Sequence, residues 1–337
     1  MTAAKGISVF SVAPMMELTD RHCRYFHRKL SRKSLLYTEM ITAKAVLHGD
    51  TKNLLKYNPV EKPLALQVGG ADPEELSEVT IIAEGLGFDE INLNVGCPSS
   101  RVKSGSFGAI LMKDPILVSK CVEAMKIVAG KIKVSVKCRI GVDEQEPEIS
   151  LPEFISTVAN GGVDHFIIHA RKAVLTGLSP KENRSIPPLN YSVVEAIRCR
   201  FPELKVSING GINSLETALS FLNDGYHGVM LGRAAYYYPE MILSKVDTQI
   251  YGVEAPKSMM DIVCGLIPYI EEELDLGTSL HKITRHLMRA FLGYKGAQNY
   301  RRHLSENAWK KNSDSKVLLN ALSMIENGDS IKRVATF

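Results

Sequence analysis

Cys97 stands between Gly96 and Pro98 in the stretch INLNVGCPSSRVKSGSFGAILM, residues 91–112, after a strand-like run and ahead of a loop rich in Gly, Ser and Lys. A thiol in a loop of this kind can be exposed and can give or take a proton, whereas a cysteine inside a packed element is a small apolar residue. The other five cysteines, Cys23, Cys121, Cys138, Cys199 and Cys264, are scattered, with no C-x-x-C pair. They form neither a zinc-site pattern nor a disulfide framework, and no metal is expected. Lys137 lies inside the apolar run IKVSVKCRIG. An ammonium there needs an anionic partner, which a phosphate or an electron-rich cofactor ring would supply; pairing with a strand-end carboxylate such as Glu39 is the alternative. His169, after FII, is as readily a satisfied core histidine as a ligand contact.

Two glycine motifs add a second kind of chemistry. SINGGI places Asn209, Gly210 and Gly211 at a strand end, and MLGRAA places Gly232 and Arg233 at the next. Backbone amides at such turns can approach an anion closely and Arg233 adds charge at a helix start, so together they read as a phosphate cradle; tight turns without a ligand are the alternative.

Eight segments must position these residues: ISVFSVAP, SLLYTEMIT, PLALQVGG, DEINLNVG, IKVSVKCRIG, VDHFIIHA, LKVSING and YHGVMLGR. Each is bounded by turn residues and followed by a helical pattern with a plausible start, such as Asp72-Pro73, Asp114-Pro115 or Asn213-Ser214. Strands apolar on both faces and separated by helices indicate a parallel sheet, and eight units ending near residue 245 fit a (β/α)8 TIM barrel of the usual ~250 residues. A doubly wound open sheet is disfavoured, because VAPMMELTD rather than G-x-G-x-x-G follows the first strand. Barrel chemistry sits at the C-terminal strand ends, which here carry Pro14, Met15, Glu39, Gln67, Asn94, Cys97, Lys137, Arg139, His169, Arg171, Asn209 and Arg233. Core-facing positions of a barrel are expected to be apolar, so this succession of polar residues is hard to explain as packing.

From APKSMMDIVCG onward the strand pattern gives way to helical periodicity. We therefore expect a barrel domain over 1–245 and a helical domain over 246–337. In HKITRHLMRAFLG, Lys282, Arg285 and Arg289 recur at three- and four-residue spacing as a basic face, with Ile283, Leu287, Ala290 and Phe291 opposite. Such a face could track phosphates, or be a solvated charge stripe. The whole chain, 337 residues with 45% hydrophobic content and net charge +4, is ordinary for a globular protein. With no apolar run near the ~18 residues of a membrane span and no secretory leader pattern, a cytoplasmic protein without membrane contact is expected. No obligatory protein partner is evident.

These segments, above all NVGCP together with ARKAVLTGLSPKENR, resemble the tRNA-dihydrouridine synthases, in particular the bacterial A-type subfamily that acts on positions 20 and 20a of the D-loop. The similarity covers most of the chain, including HKITRHLMRAFLGYKGAQNYRRHL. The resemblance implies FMN at the barrel mouth, reduced by NADPH or NADH, then a hydride to C6 of uracil and a proton from Cys97 to C5. It implies that Pro14, Met15 and Met16 lie along the flavin and that Gln67, Lys137 and His169 bond its polar edge. Asn209, Gly210, Gly211, Gly232 and Arg233 would hold the phosphate. Asn94 and Arg139 would serve the substrate, and Lys181, Arg184, Lys282, Arg285, Arg289, Gln298 and Arg301 the tRNA. A mobile SGSFG run behind Cys97 would serve as lid hinge. Glu17-Leu18, Val174 and Gln298 depart from the residues usual in the family. The alternatives are an FMN barrel that reduces a free pyrimidine or an enone, and a tRNA-binding protein without catalysis.

Overall fold

The computed structural model describes residues 9–99, 107–255 and 257–326. By packing, the chain forms two compact units, Met1–Thr19 with Ser34–Gly232, and Asp20–Lys33 with Arg233–Phe337.

The first unit is a closed parallel barrel. Its strands are β1 (Val9–Val12), β2 (Leu35–Tyr37), β3 (Ile41–Thr42), β4 (Leu64–Gly69), β5 (Glu90–Val95), β6 (Lys133–Arg139), β7 (His165–His169), β8 (Lys205–Asn209) and β9 (Gly228–Leu231). They run in the order β2-β1-β9-β8-β7-β6-β5-β4-β3, and a further pairing of β2 with β4 closes a ring of eight. The segment SLLYTEMIT supplies two strands: β2 belongs to the ring, and the short β3 lies on Val68 and Gly69 at the end of β4. The helices start where the sequence has its caps. Asp72 accepts from the amides of Glu74 and Glu75 ahead of helix Pro73–Gly85, Asp114 from Leu117 ahead of Pro115–Val128, and Ser214 from Thr217 ahead of Leu215–Asn223.

The barrel interior departs from the expected apolar filling. Ala13, Tyr37, Ala65, Ile167 and Met230 form an apolar cluster. The remaining buried positions of alternating parity are polar: Gln67, Glu90, Asn92, Asn94, Ser135 and Ser207 are each at most 8% exposed. They are tolerated because neighbouring strands present them to one another in register, Gln67 opposite Asn92 and Asn92 opposite Ser135.

The second unit has helices and turns and no strand among its described residues, and it includes helix Arg21–Leu30 from early in the chain. The division by packing thus falls at Gly232 rather than after residue 245. The early helix joins the C-terminal unit because carboxylates of that unit hold both of its ends. Glu273 takes the Arg21 guanidinium, while Asp247, 1% exposed, accepts from Ser31 Oγ at 2.6 Å and from the amides of Arg32 and Lys33 at 2.7 and 3.2 Å. Asp247→Ala removes the carboxylate shared by all three donors, so it is expected to lower unfolding free energy by about 2–4 kcal/mol. Denaturant melts of the two proteins with equal midpoints would contradict this.

Candidate active site

At the C-terminal end of the barrel, β5 delivers Asn94 and the loop carrying Cys97. Asn94 Oδ1 accepts from the amides of Gly96 at 3.1 Å and Cys97 at 2.9 Å, and the Cys97 carbonyl accepts from Ala109 N at 2.9 Å. The loop around the thiol is therefore fixed from both sides, and Cys97 itself is a half-buried free cysteine. Of the SGSFG run, residues 104–106 lie outside the described residues. Phe107 is described, and a Cβ on Gly69 would sit 2.6 Å from its ring.

Lys137 and Arg139 follow on β6 with the same parity. Lys137 Nζ donates to Asn209 Oδ1 at 3.1 Å, and among the described residues it forms no ion pair, with Glu39 or otherwise. Burial, reinforced by the Arg139 charge, pushes its ammonium down to about 8. A thiolate at Cys97 would act on both Lys137 and Arg139 in the opposite sense, favouring their cationic forms. Arg139, expected on the substrate side, is 4% exposed; it donates to the carbonyls of Gly96 at 3.1 Å, Lys172 at 3.2 Å and Asn183 at 3.0 Å. It ties the cysteine loop to the segment after β7.

His169 closes the row from β7. Burial, with the cationic neighbours Arg139 and Lys137, holds it neutral, well below the usual imidazole range. Among the described residues neither ring nitrogen has a hydrogen-bond partner. Next to it, Gly210 and Gly211 have φ of 108° and 69°, in the left-handed region that favours glycine. A Cβ on Gly210 would come within 2.3 Å of His169 Cδ2, so the backbone here lies directly on the imidazole. Asn209 is locked between Lys137 and the Met230 carbonyl, to which its Nδ2 donates at 2.7 Å. Gly232 is less constrained, since a Cβ there would find Met15 Sδ at an ordinary 3.4 Å. Arg233, the next residue, is exposed and opens helix Arg233–Tyr237 of the second unit. Pro14 and Met15 are half-buried on the loop after β1, and Met16 is 58% exposed. Gln67, at 1% exposed, sits a layer deeper. An unpaired ammonium, a neutral imidazole with free ring nitrogens, exposed Met16 and a glycine turn suit a flat, electron-rich cofactor that carries a phosphate.

Lys181 and Arg184 are exposed on the segment after β7. What shapes that segment is Asn183, fully buried: its Oδ1 accepts from Val174 N at 2.7 Å and its Nδ2 donates to the Val174 carbonyl at 2.8 Å. Its role was readable only as part of the SPKENR motif, since a lone Asn between charged residues carries no packing signal.

In the second unit, the expected basic helix is cut short. Helix Leu280–Thr284 gives way to turns closed by three-residue bonds, Leu287 N to the Thr284 carbonyl and Ala290 N to Leu287. Asp20 draws the chain in by binding Arg285 at 2.6 Å and His286 at 2.9 Å. Burial opposes charge on Asp20, yet His286, Arg285 and the Cys23 amide together keep its carboxyl well below the usual range. The Arg289 guanidinium lies 4.9 Å from the centre of the Tyr237 ring. Two of the three expected phosphate contacts thus have structural engagements, while Lys282 and Gln298 are exposed and Arg301 is half-buried. The apolar face is as expected, with Ile283, Leu287, Ala290 and Phe291 buried. Among the described residues no group of His, Cys, Asp or Glu could hold a metal ion, and no helix is long and apolar enough to cross a membrane.

A parallel barrel with a thiol, two cations and a glycine turn at its C-terminal end marks a candidate active site, and residues 11–326 match the dihydrouridine synthase (Dus) family, to which the chain belongs. It is 51% identical to the tRNA-dihydrouridine(20/20a) synthase of Vibrio cholerae serotype O1, over 94% of this chain and 96% of that protein. To the enzyme of the same name from Salmonella typhi it is 52% identical, over 94% and 95%. Among solved structures, morphinone reductase shares the fold, with a TM-score of 0.50 at 11% identity, covering 74% of this chain and 87% of that one.

Lys137 yields a direct physical test. Its pKa of about 8 in the folded chain lies below the ~10.4 of an unfolded lysine, so between those values the unfolded state holds more protons and stability rises with pH. Relative to Lys137→Met, the cofactor-free wild type is expected to gain stability as pH rises from about 8 to about 10. Parallel denaturation curves across that window would contradict the assignment.

Proposed function

We propose that this chain reduces uridines 20 and 20a of the tRNA D-loop to 5,6-dihydrouridine, with FMN as cofactor and NADPH or NADH as reductant. One observation carries the reading: in a chain of the dihydrouridine synthase family, Cys97 is held in a fixed loop after β5, with Lys137 and Arg139 on the neighbouring β6 and Arg139 bonded to that loop. When bound, FMN supplies hydride chemistry, taking a hydride from the reduced nicotinamide and passing one to C6 of uracil.

The protein's own residues do the rest. Lys137 and His169 hold the polar edge of the ring system, the first as a cation and the second as a neutral imidazole. Asn209, Gly210, Gly211, Gly232 and Arg233 take the phosphate, and Pro14, Met15 and Met16 flank the ring. The target base must leave the folded D-loop to reach such a pocket. Addition at C6 builds negative charge toward C5 and O4; the Cys97 thiol then donates its proton to C5, leaving a thiolate in the field of Lys137 and Arg139. Arg139 and Asn94 act by fixing the cysteine loop. Lys181, Arg184, Lys282, Gln298 and Arg301 are the residues we assign to tRNA, with Arg285 and Arg289 shaping the chain around Lys282. As tRNA is the substrate, the reaction belongs in the cytoplasm.

Cys97→Ala is expected to retain FMN and its reduction by NADPH while single-turnover reduction of uridine slows by about 10²–10⁴-fold. Wild-type turnover in that variant would remove Cys97 from the acid role. Lys282→Glu with Arg301→Glu is expected to weaken tRNA binding and to lower the slope of log affinity against log salt by about one per lost contact. An unchanged slope would clear that surface of RNA contact.

A further inference from the structure

A continuous column of hydrogen bonds runs through the barrel from its closed end to the cysteine loop. At its foot Glu90, the first residue of β5 and 3% exposed, accepts on Oε1 from Tyr37 OH at 2.6 Å and from Ser135 Oγ at 2.5 Å. Asn92 Nδ2 donates to Ser135 Oγ at 2.7 Å, Gln67 Nε2 to Asn92 Oδ1 at 2.8 Å, and Asn94 Nδ2 to Gln67 Oε1 at 2.8 Å. Asn94 Oδ1 then receives the amides of Gly96 and Cys97. Every donor along the column points toward Glu90.

This polarity has a cause. A carboxylate oxygen only accepts. The single proton of Ser135 is therefore spent on Glu90, so toward Asn92 the hydroxyl can only accept. Asn92 must turn its NH₂ to Ser135 and its oxygen to Gln67; the same choice passes to Gln67 and then to Asn94. We propose that Glu90 is a positioning residue: acting through Ser135, Asn92 and Gln67, it sets the orientation of Asn94 and so holds Gly96 and Cys97 in place. The proposal rests on the reading of Cys97 as proton donor only for its catalytic consequence, since the column itself is independent of that reading.

Glu90→Gln keeps the shape but can donate as well as accept, which makes the two polarities of the column comparable in energy. Tyr37→Phe is the control: it removes the other donor to Glu90 and leaves the column intact. Amide hydrogen exchange of Gly96 and Cys97, followed by NMR in the FMN-loaded protein, is expected to be about five- to tenfold faster in Glu90→Gln and unchanged in Tyr37→Phe. Turnover of tRNA is expected to fall about tenfold in kcat with KM nearly constant, because the loop and not tRNA binding is disturbed. Ser135→Ala cuts the column with the loss of one atom and is expected to reproduce the exchange change, and Ser135→Thr, which restores the hydroxyl, to reverse it. Exchange at Gly96 and Cys97 that is unaltered in Glu90→Gln and Ser135→Ala, or accelerated equally in Tyr37→Phe, overturns the proposal. Altered exchange without any uridine reduction by the wild type would leave the column standing and remove the proposed reaction.

Discussion

Polar side chains inside a closed barrel must satisfy one another, because water cannot reach them and each unmade bond costs about 1–3 kcal/mol. That constraint governs the catalytic unit. Glu90, Ser135, Asn92, Gln67 and Asn94 are buried and bonded in sequence, and the last of them carries the loop of Cys97. The same rule acts at the mouth, where Asn209 is shared between Lys137 and the Met230 carbonyl. The Lys137 ammonium, which has no ion-pair partner among the described residues, and the neutral His169 imidazole are the groups there that a cofactor would engage.

Arg139 shows how this logic extends outward. A guanidinium buried against three carbonyls joins the cysteine loop, the end of β7 and the Asn183 turn, so one side chain relates the thiol to the segment that carries Lys181 and Arg184. Burial presses its charge down to about 10, still well above neutrality, so it remains a cation beside Cys97. Loop and charge are supplied by the same residue.

The strands and the order of the site residues were legible in the chain because each strand is a short β-branched run ending in a residue that packing does not explain. Cys97, Lys137, His169 and the Asn209–Gly211 turn stood out in this way. The column below them was hidden by the expectation of strands apolar on both faces, although its signal was present: EINLN and KVSVK alternate polar and apolar residues. Likewise, three-residue spacing in HKITRHLMR suggested a continuous helix. Asp20, more than 250 residues earlier in the chain, binds Arg285 and His286 and ends it, a long-range interaction that no local pattern can contain.

The account joins a chemistry to a position on RNA. Both are tested by mapping dihydrouridine in tRNA from a strain that lacks its own D-loop synthases, after incubation with the FMN-loaded protein and NADPH. The account predicts the reduced base at positions 20 and 20a and nowhere else in the molecule. A yellow protein that oxidises NADPH yet leaves every uridine of the tRNA intact would contradict it.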